Sequence, residues 1–132
     1  MEKIQIYTNE NCPYCKQIKE ELNKNGFGYE EKQTSKHEDD WLKATNIIGM
    51  ATVPTIYYND EYFVAARDFG NPEHLMNILK NYKKPVDSYS KINFERIKTL
   101  NYNTNMAFGR LDQLLRQIET KLNKEDEHKS ND

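Results

Sequence analysis

Two residues with redox-active side chains, Cys12 and Cys15, lie three positions apart and enclose Pro13 and Tyr14. The mainly apolar residues 4–7 precede them and a helical pattern follows, which predicts a strand-to-helix turn with Cys12 near the helix N-cap. The first N–H groups of a helix lack intrahelical partners and carry partial positive charge, so a sulfur placed there is stabilised as the thiolate. Because the spacing also brings Cys15 back beneath Cys12, the pair has the two sulfurs that thiol–disulfide exchange requires.

Two other uses of the cysteine pair compete with redox chemistry. A zinc site needs further ligands, but the chain has no other cysteine, and its histidines (His37, His74 and His128) lack metal-binding spacing. A structural disulfide is disfavoured because closing so short a loop removes little chain entropy from the unfolded state. The pair is therefore interpreted as a redox centre without metal, provided that a βαβ unit surrounds it.

Length and charge favour one small domain with an addition. The chain has 132 residues and a formal net charge of -2, so no general affinity for nucleic acid or anionic membranes is expected. No apolar run approaches the roughly 18 residues of a membrane span. The N-terminus enters a strand pattern without a signal peptide, and the expected compartment is a reducing cytoplasm, where such a cysteine pair is catalytic.

A strand–helix–strand unit is predicted around the cysteines. Ile18 and Leu22 lie four positions apart on one face of the helix, and Gly26 suits its C-cap. Because a helix connects the two strands, they are expected to be parallel. The predicted elements are a strand at 3–8, a helix at 13–25 and a strand at 27–33.

The following elements are predicted to complete a sheet covered by helices. Ser35 is expected to cap a second helix anchored by Trp41 and Leu42, and Asn71 to cap a third, with Pro72 at its first position. The order βαβαββα predicts an α/β thioredoxin-like fold with a four-stranded mixed sheet. The predicted elements are a helix at 37–46, strands at 55–58 and 62–65 joined by a tight turn, and a helix with an apolar face of Leu75, Ile78 and Leu79.

Within this framework the chain resembles the glutaredoxin family over about residues 1–82. The resemblance is specific, because Cys-Pro-Tyr-Cys is typical of dithiol glutaredoxins and Thr-Val-Pro is the second family motif. It implies a thioredoxin fold and a monomeric enzyme that uses glutathione as reductant, with Cys12 and Cys15 as catalytic residues. The matching residues are Ile6-Tyr7-Thr8, Cys12-Pro13-Tyr14-Cys15, Thr52-Val53-Pro54 and Asp68.

The resemblance also implies a glutathione site. In the family the Val53–Pro54 bond is cis, and the backbone of Val53 would pair with the cysteine backbone of glutathione by strand addition. Backbone N–H groups of Ala66 and Arg67 would cradle the glutamyl carboxylate, and Asp68 would pair with the α-amino group. An edge-strand proline, a surface or capping carboxylate and a surface aromatic are the simpler interpretations. The residues carried over as glutathione-binding are Tyr14, Thr52, Val53, Pro54, Ala66, Arg67 and Asp68.

Several positions depart from the family pattern. Asn9 stands where the family often has Lys, and Glu38 stands near the position of an Arg or Gln that meets the glycine carboxylate of glutathione. Glu10 adds negative charge beside Cys12, and residues 64–65 (Val-Ala) replace a Gly-Gly pair that would give room and conformational freedom. These departures predict weaker glutathione binding than in the family at large.

Residues 83–132 lie outside the resemblance and are predicted to form a separate helical extension. A short helix at 91–100 and a longer one at 105–124 are expected, with a fraying charged end at 125–132. Gly109 weakens the longer helix, so its apolar stripe must be buried against its own domain, a second copy of the chain or a client. Truncation before Pro85 is expected to preserve small-disulfide reduction. The stripe consists of Phe108, Leu111, Leu115, Ile118 and Leu122.

The predicted function is glutathione-dependent reduction of protein disulfides and glutathione mixed disulfides. Cys12 would attack the substrate disulfide, Cys15 would resolve the mixed disulfide, and glutathione would reduce the resulting bridge. One alternative is a thioredoxin-like dithiol donor supplied by a flavoprotein reductase. Another is iron–sulfur cluster carriage by a glutaredoxin dimer, which Pro13 disfavours because it stiffens the turn and removes an N–H near the sulfurs. Ribonucleotide reductase is a protein substrate implied by the family alone.

Overall fold

The computed structural model describes residues 3–83 and 91–130, with side chains up to residue 126. Residues up to Thr99 form one compact unit, and residues from Leu100 onwards form a second. No helix of the described ranges is long and apolar enough to cross a membrane. The elements are β1 (Ile4–Thr8), α1 (Pro13–Lys24), β2 (Tyr29–Gln33), α2 (Glu38–Ile48), β3 (Thr55–Tyr58), β4 (Glu61–Val64), α3 (Pro72–Lys80) and α4 (Lys91–Ser130).

The strands form one four-stranded mixed sheet in the order β2-β1-β3-β4. β1 and β2 are parallel and joined by α1, while β3 is antiparallel to both β1 and β4. In the register, Thr55 pairs with Tyr7 on one side and with Val64 on the other. The end of β1, the start of β3 and the end of β4 therefore meet at one end of the sheet. The predicted order of elements through α3 is confirmed.

Successive strand residues point to opposite faces of the sheet, and a hydrophobic cluster covers each face. Ile6 faces a cluster that includes Ile18 and Leu22 of α1 and Leu75 of α3. Tyr7, the next residue, faces a second cluster with Ala44 and Ile48 of α2. The hairpin turn between β3 and β4 uses Asn59 and Asp60 with φ of 51° and 61°, a left-handed conformation that these two residue types tolerate.

The second helix differs from its prediction. Its N-cap is His37, without a side-chain capping bond, so the prediction of Ser35 as the cap was wrong. The helix continues to Ile48 and ends at Gly49, whose φ of 81° provides a left-handed C-cap. Trp41 is half-buried against the core, as expected of an anchor, but Leu42 is 61% exposed, so the prediction of Leu42 as a second anchor was wrong.

The C-terminal region forms one helix where two were predicted. α4 continues through residues 101–104, which were predicted to separate them, and through residues 125–130, which were predicted to fray. Its first nine residues belong to the compact unit that contains the sheet, and within them Glu95 and Thr99 are buried. The predicted domain boundary at residues 82–83 stays a prediction. The stripe residues from Phe108 to Leu122 belong to the second unit and are all more than half exposed.

Candidate active site

Cys12 is the N-cap of α1, with extended backbone angles of φ -120° and ψ 97°. Its sulfur accepts a hydrogen bond of 3.1 Å from the backbone N–H of Cys15, and Pro13 occupies the start of the helix as predicted. The two cysteines form a disulfide, with their Cα atoms 5.2 Å apart. The same N–H can donate to a reduced sulfur, and donation to the charged form favours the thiolate.

The two sulfurs of this disulfide differ in access. Cys12 is partly exposed, whereas Cys15 is 1% exposed beneath the start of α1. Exchange requires an incoming thiolate to reach the sulfur that it attacks. The geometry therefore directs attack from solvent to Cys12 and leaves Cys15 to react within the chain. No cluster of three or more His, Cys, Asp or Glu side chains suited to a metal ion occurs among the described residues.

The sheet topology places the predicted site segments at one end of the sheet. Cys12 follows the end of β1, Pro54 precedes β3, and Asp68 follows the end of β4. The backbone N–H of Ala65 donates to the carbonyl of Pro54 at 3.3 Å, which ties the second and third segments together. The predicted residues are thus gathered at the same end as the cysteines, although their role in binding glutathione stays a prediction.

Tyr14 packs against the protein at this end of the sheet. Its ring stacks on Phe69 with centroids 6.3 Å apart and an interplanar angle of 19°, and it packs against the main hydrophobic cluster. Burial raises the pKa of the Tyr14 phenol above its ordinary value. Its ring thus links the cysteine turn to the segment after Asp68 and forms part of the fold itself.

The Val53–Pro54 peptide bond is cis, as the family resemblance implied. Pro54 is buried, while Val53 is only partly covered. Among the described residues, none forms a hydrogen bond with the backbone N–H or C=O of Val53. These groups are available for pairing with an extended peptide, which is the arrangement that strand addition needs.

The loop after β4 has an unusual backbone. Ala66 has a φ of 73°, a left-handed conformation that glycine adopts without strain and alanine rarely adopts. Its N–H donates to the carbonyl of Phe69 at 2.9 Å, and the N–H of Asp68 donates to the carbonyl of Val64 at 2.9 Å. Of the two N–H groups predicted to cradle a carboxylate, only that of Arg67 lacks a partner among the described residues.

Asp68 is held through one of its two carboxylate oxygens. Oδ2 accepts from the N–H of Val64 at 2.7 Å and from the guanidinium of Arg67 at 2.7 and 2.9 Å. Oδ1 has no hydrogen bond within the described part of the chain, and the side chain is 12% exposed. A carboxylate fixed at one oxygen and open at the other is suited to accept a hydrogen bond from a cationic ligand group.

The Arg67 side chain and its partner Glu95 are the features that sequence reasoning missed. Arg67 was expected to contribute its backbone alone, but its guanidinium is 1% exposed and lies between Asp68 and Glu95, at 2.7 Å from each carboxylate. Glu95 lies in α4, beyond the region of family resemblance, and a charged residue on a helix usually faces solvent. Only its spacing from Thr99, one turn later, could have indicated a shared buried face.

Two of the departures from the family pattern, Asn9 and Glu38, lie in the segment after β1 and in the first turn of α2. Asn9 accepts a hydrogen bond from the hydroxyl of Thr34 at 2.9 Å, and the first turn of α2 carries Glu38, Asp39 and Asp40. A hydrogen bond and the positive charge of Lys32, 3.0 Å away, lower the pKa of Asp40. A pocket of about 540 Å³ is lined by residues 35–40, in which three carboxylates outnumber the one lysine, Lys36, so its net negative charge disfavours an anion.

Comparison with known proteins gives the following relationships. Residues 4–63 match the family model of the glutaredoxins, a span that contains both cysteines and Pro54 but ends before Asp68 and α4. A glutaredoxin from Archaeoglobus fulgidus is similar in structure, with a TM-score of 0.51 and 23% identity over 61% of this chain and 89% of that chain. No curated protein matches the chain significantly.

Two further solved structures are similar over comparable shares of this chain. A mutant of a thioredoxin-like protein is 26% identical, with a TM-score of 0.49 over 58% of this chain and 99% of that chain. The glutaredoxin-like protein NrdH-redoxin from Escherichia coli is 20% identical, with a TM-score of 0.47 over 64% of this chain and 100% of that chain. With the sheet order described above, the archaeal match confirms the predicted thioredoxin-like α/β fold, followed by a long C-terminal helix.

Proposed function

We propose that this chain is a glutathione-dependent thiol–disulfide oxidoreductase that reduces protein disulfides and glutathione mixed disulfides. The observation that carries the proposal is the accessible Cys12 at a helix N-terminus, bonded to the buried Cys15. A thiolate with a second thiol beneath it can both attack a foreign disulfide and resolve the product. The glutaredoxin family-model match over residues 4–63 supports the same chemistry.

The reaction proceeds by paired exchanges. The Cys12 thiolate attacks one sulfur of a protein disulfide, which forms a mixed disulfide and releases the other substrate sulfur as a thiolate. The Cys15 thiolate then attacks the Cys12 sulfur, which releases the reduced substrate and forms the intramolecular disulfide found in the structure. One glutathione thiolate attacks Cys12, and a second attacks the bound glutathione sulfur, which regenerates the dithiol and yields glutathione disulfide.

Three groups are available to hold glutathione. These groups lack hydrogen-bond partners among the described residues. The backbone N–H and C=O of Val53 would pair with the cysteine residue of glutathione, the N–H of Arg67 would meet the glutamyl carboxylate, and Asp68 Oδ1 would accept from the α-amino group. No lysine or arginine occupies the first turn of α2, where its three carboxylates lie. The glycine carboxylate is therefore expected to contribute little affinity, and the KM for glutathione should be high.

The acidic first turn of α2 also supports a second candidate, a thioredoxin-like dithiol donor that takes electrons from a flavoprotein reductase. Such a donor would use the same Cys12–Cys15 chemistry without a glutathione site. Iron–sulfur cluster carriage is the third candidate considered. Pro13 at the start of α1 disfavours cluster binding, because it stiffens the turn and removes an N–H near the sulfurs. A purified protein without colour would argue against a bound cluster.

The test supplies this chain with electrons from two reducing systems in turn and measures its activity on the same substrate. Reduction of a glutathione mixed disulfide is followed through NADPH oxidation, with either glutathione plus glutathione reductase or a thioredoxin-reductase system. The proposal expects activity with glutathione. Activity with the thioredoxin-reductase system and none with glutathione would contradict the proposal and favour the second candidate.

The two cysteines are expected to separate in the same assay. Cys12→Ser should abolish all activity, because no other accessible sulfur can attack. Cys15→Ser should keep the reduction of glutathione mixed disulfides, which needs one sulfur, and lose the reduction of protein disulfides. Full activity in Cys12→Ser would overturn this assignment of roles.

The distal part of α4 is proposed to pair with a second copy of the chain. Its stripe repeats apolar residues at alternating three- and four-residue spacing and is exposed, as in one strand of a coiled coil. If Leu115 and Leu122 occupy a positions of a heptad, Lys121 occupies a g position and Asp126 the following e position. In a parallel pair in register, Lys121 would then lie opposite Asp126 of the second copy. Light scattering should report a dimer for the full chain and a monomer for Leu115→Lys, while a monomeric full chain would contradict the proposal.

We also propose a reducing cytoplasm as the compartment, where a cysteine pair of this type cycles between dithiol and disulfide. Disulfide-containing proteins are the proposed substrates. Ribonucleotide reductase is one of them at the level of family resemblance, and reduction of its oxidised form by the purified chain would test that assignment.

A further inference from the structure

Glu95 is a buried carboxylate that the redox chemistry does not use. It lies in the first turns of α4, and its side chain is 0% exposed. One oxygen accepts from the backbone N–H of Tyr62 at 2.9 Å, and the other lies 2.7 Å from the Arg67 guanidinium. A buried charge is costly unless it is paired and hydrogen-bonded, so a carboxylate in this position is matched closely to its partners.

Glu95 and its neighbours saturate the Arg67 guanidinium. Nε donates to Asp68, Nη1 to the carbonyl of Glu95 and to the hydroxyl of Thr99, and Nη2 to Asp68, to Glu95 and to the carbonyl of Tyr62. Because a guanidinium is planar and rigid, contacts on all three nitrogens fix its orientation. The Asp68 oxygen that it holds is fixed as a result.

The charge of Glu95 has a consequence for Asp68. Arg67 alone would neutralise Asp68 and weaken its attraction for a cationic group. Glu95 offsets the Arg67 charge, and Lys98 pairs with both Glu95 and Glu61. Three carboxylates against two cations leave one net negative charge in the cluster. Asp68 Oδ1, which lacks a partner among the described residues, is the open acceptor in this cluster.

We propose that Glu95 is a positioning residue for glutathione recognition, which acts through Arg67 to orient Asp68 and to preserve its negative charge toward the α-ammonium group of glutathione. The inference rests on the proposed function, because it assigns Asp68 to that ammonium group. It gives the start of α4, which lies outside the glutaredoxin family-model match, a part in substrate specificity.

The test uses Glu95→Gln, which keeps the shape of the side chain and removes its charge. Steady-state kinetics are measured with glutathione and with N-acetylglutathione, which lacks the ammonium group. The wild-type chain should favour glutathione, and Glu95→Gln should reduce that preference about tenfold through KM, since hydrogen bonds to charged groups contribute at least this much. The kcat and the rate of Cys12 alkylation should stay unchanged.

Two further variants make the test specific. Arg96→Met removes a hydrogen bond of 2.7 Å between α4 and the carbonyl of Asn46 without touching Arg67, and it should leave the preference unchanged. In the Asp68→Ala background, Glu95→Gln should produce no additional loss of preference, because its effect passes through Asp68. An equal loss in Arg96→Met would show a merely structural effect of α4 and overturn the inference.

The outcomes also separate the two proposals. A wild-type chain that shows no glutathione-dependent turnover would contradict the proposed function. A wild-type chain that prefers glutathione, with a Glu95→Gln variant of equal preference, would contradict only the role of Glu95. If Glu95→Gln fails to fold, Glu95→Asp keeps the charge and withdraws the carboxylate from Arg67, and it should lose part of the preference. An unchanged preference in that variant would overturn the inference in the same way.

Discussion

Because the start of α4 contacts the sheet, the stability of a truncated chain should depend on where in α4 the truncation falls. A chain that ends at residue 103 keeps Glu95 and Thr99, whereas a chain that ends at residue 84 loses both. The sequence led us to expect that truncation before Pro85 preserves small-disulfide reduction. The structure shows that residues 91–99 share a compact unit with the sheet, so the shorter chain should carry a stability penalty.

The size of that penalty follows from the hydrogen bonds. Within the described part of the chain, residues 91–99 form nine hydrogen bonds with the remainder of their unit, and five of these involve the buried Glu95 or Thr99. At about 1 kcal/mol net for each buried bond, the loss is about 5 kcal/mol. Domains of this kind have a total unfolding free energy of about 5–15 kcal/mol, so the penalty would remove a large part of it.

The measurement is urea unfolding followed by the fluorescence of Trp41, the only tryptophan, whose ring lies 5.3 Å from that of Tyr7 in the sheet. The chain ending at residue 103 should unfold at nearly the full-length midpoint, and the chain ending at residue 84 should unfold at least roughly 2 M urea earlier. Equal midpoints for the two truncations would refute the reasoning, because the Glu95 and Thr99 contacts would then contribute nothing to stability.

Three further predictions concern single residues. Asp68→Ala should raise the KM for glutathione with little change in Cys12 alkylation, and Asn9→Lys should lower it; kinetics in which neither KM moves would contradict the proposed site. Ala66→Gly should stabilise the fold by up to about 1 kcal/mol, because glycine adopts the observed φ of 73° without strain, and a lower urea midpoint would contradict this. Burial tends to raise the pKa of Glu31, but the hydrogen bonds from Lys19 and Thr8 and the charges of Lys19 and Lys36 together outweigh it, and the net pKa is lowered. The contribution of Glu31 to stability is therefore present above about pH 4.5 and lost as pH falls below it. Glu31→Gln should flatten the acid side of the stability profile, as measured by unfolding at several pH values.

Much of the fold could be predicted because its local signals agree. Pro13 after Cys12 and Pro72 after Asn71 begin helices in both the sequence pattern and the structure. β3 was predicted with its observed bounds, because turn residues define it on both sides. The second helix was predicted less well. Ser35 has the right side chain for a cap, but the helix begins later, and tertiary packing selects Ala44 and Ile48 as its buried face.

Apart from what the family resemblance implied, the candidate site was predictable only where it is local. The arrangement of Cys12 and Cys15 follows from a helix N-terminus, which the sequence indicates directly. The burial of Arg67 depends on Glu95, a contact across 28 positions that no sequence period reveals. A buried ion pair looks like two solvated charges in the sequence, because charged residues usually lie at the surface. The continuity of α4 through residues 101–104 was missed for a similar reason, since a polar stretch without an apolar period was interpreted as a break.

The difference in access between the two sulfurs also determines how long a partner stays attached. Cys15 lies out of reach of a macromolecule, so its attack on Cys12 is the intramolecular step that ends each covalent encounter. With that step removed, a protein bound through Cys12 would stay attached until an outside thiol released it. A chain carrying serine at position 15 would therefore capture its protein substrates as isolable adducts, and mass spectrometry of those adducts would identify the physiological partners directly.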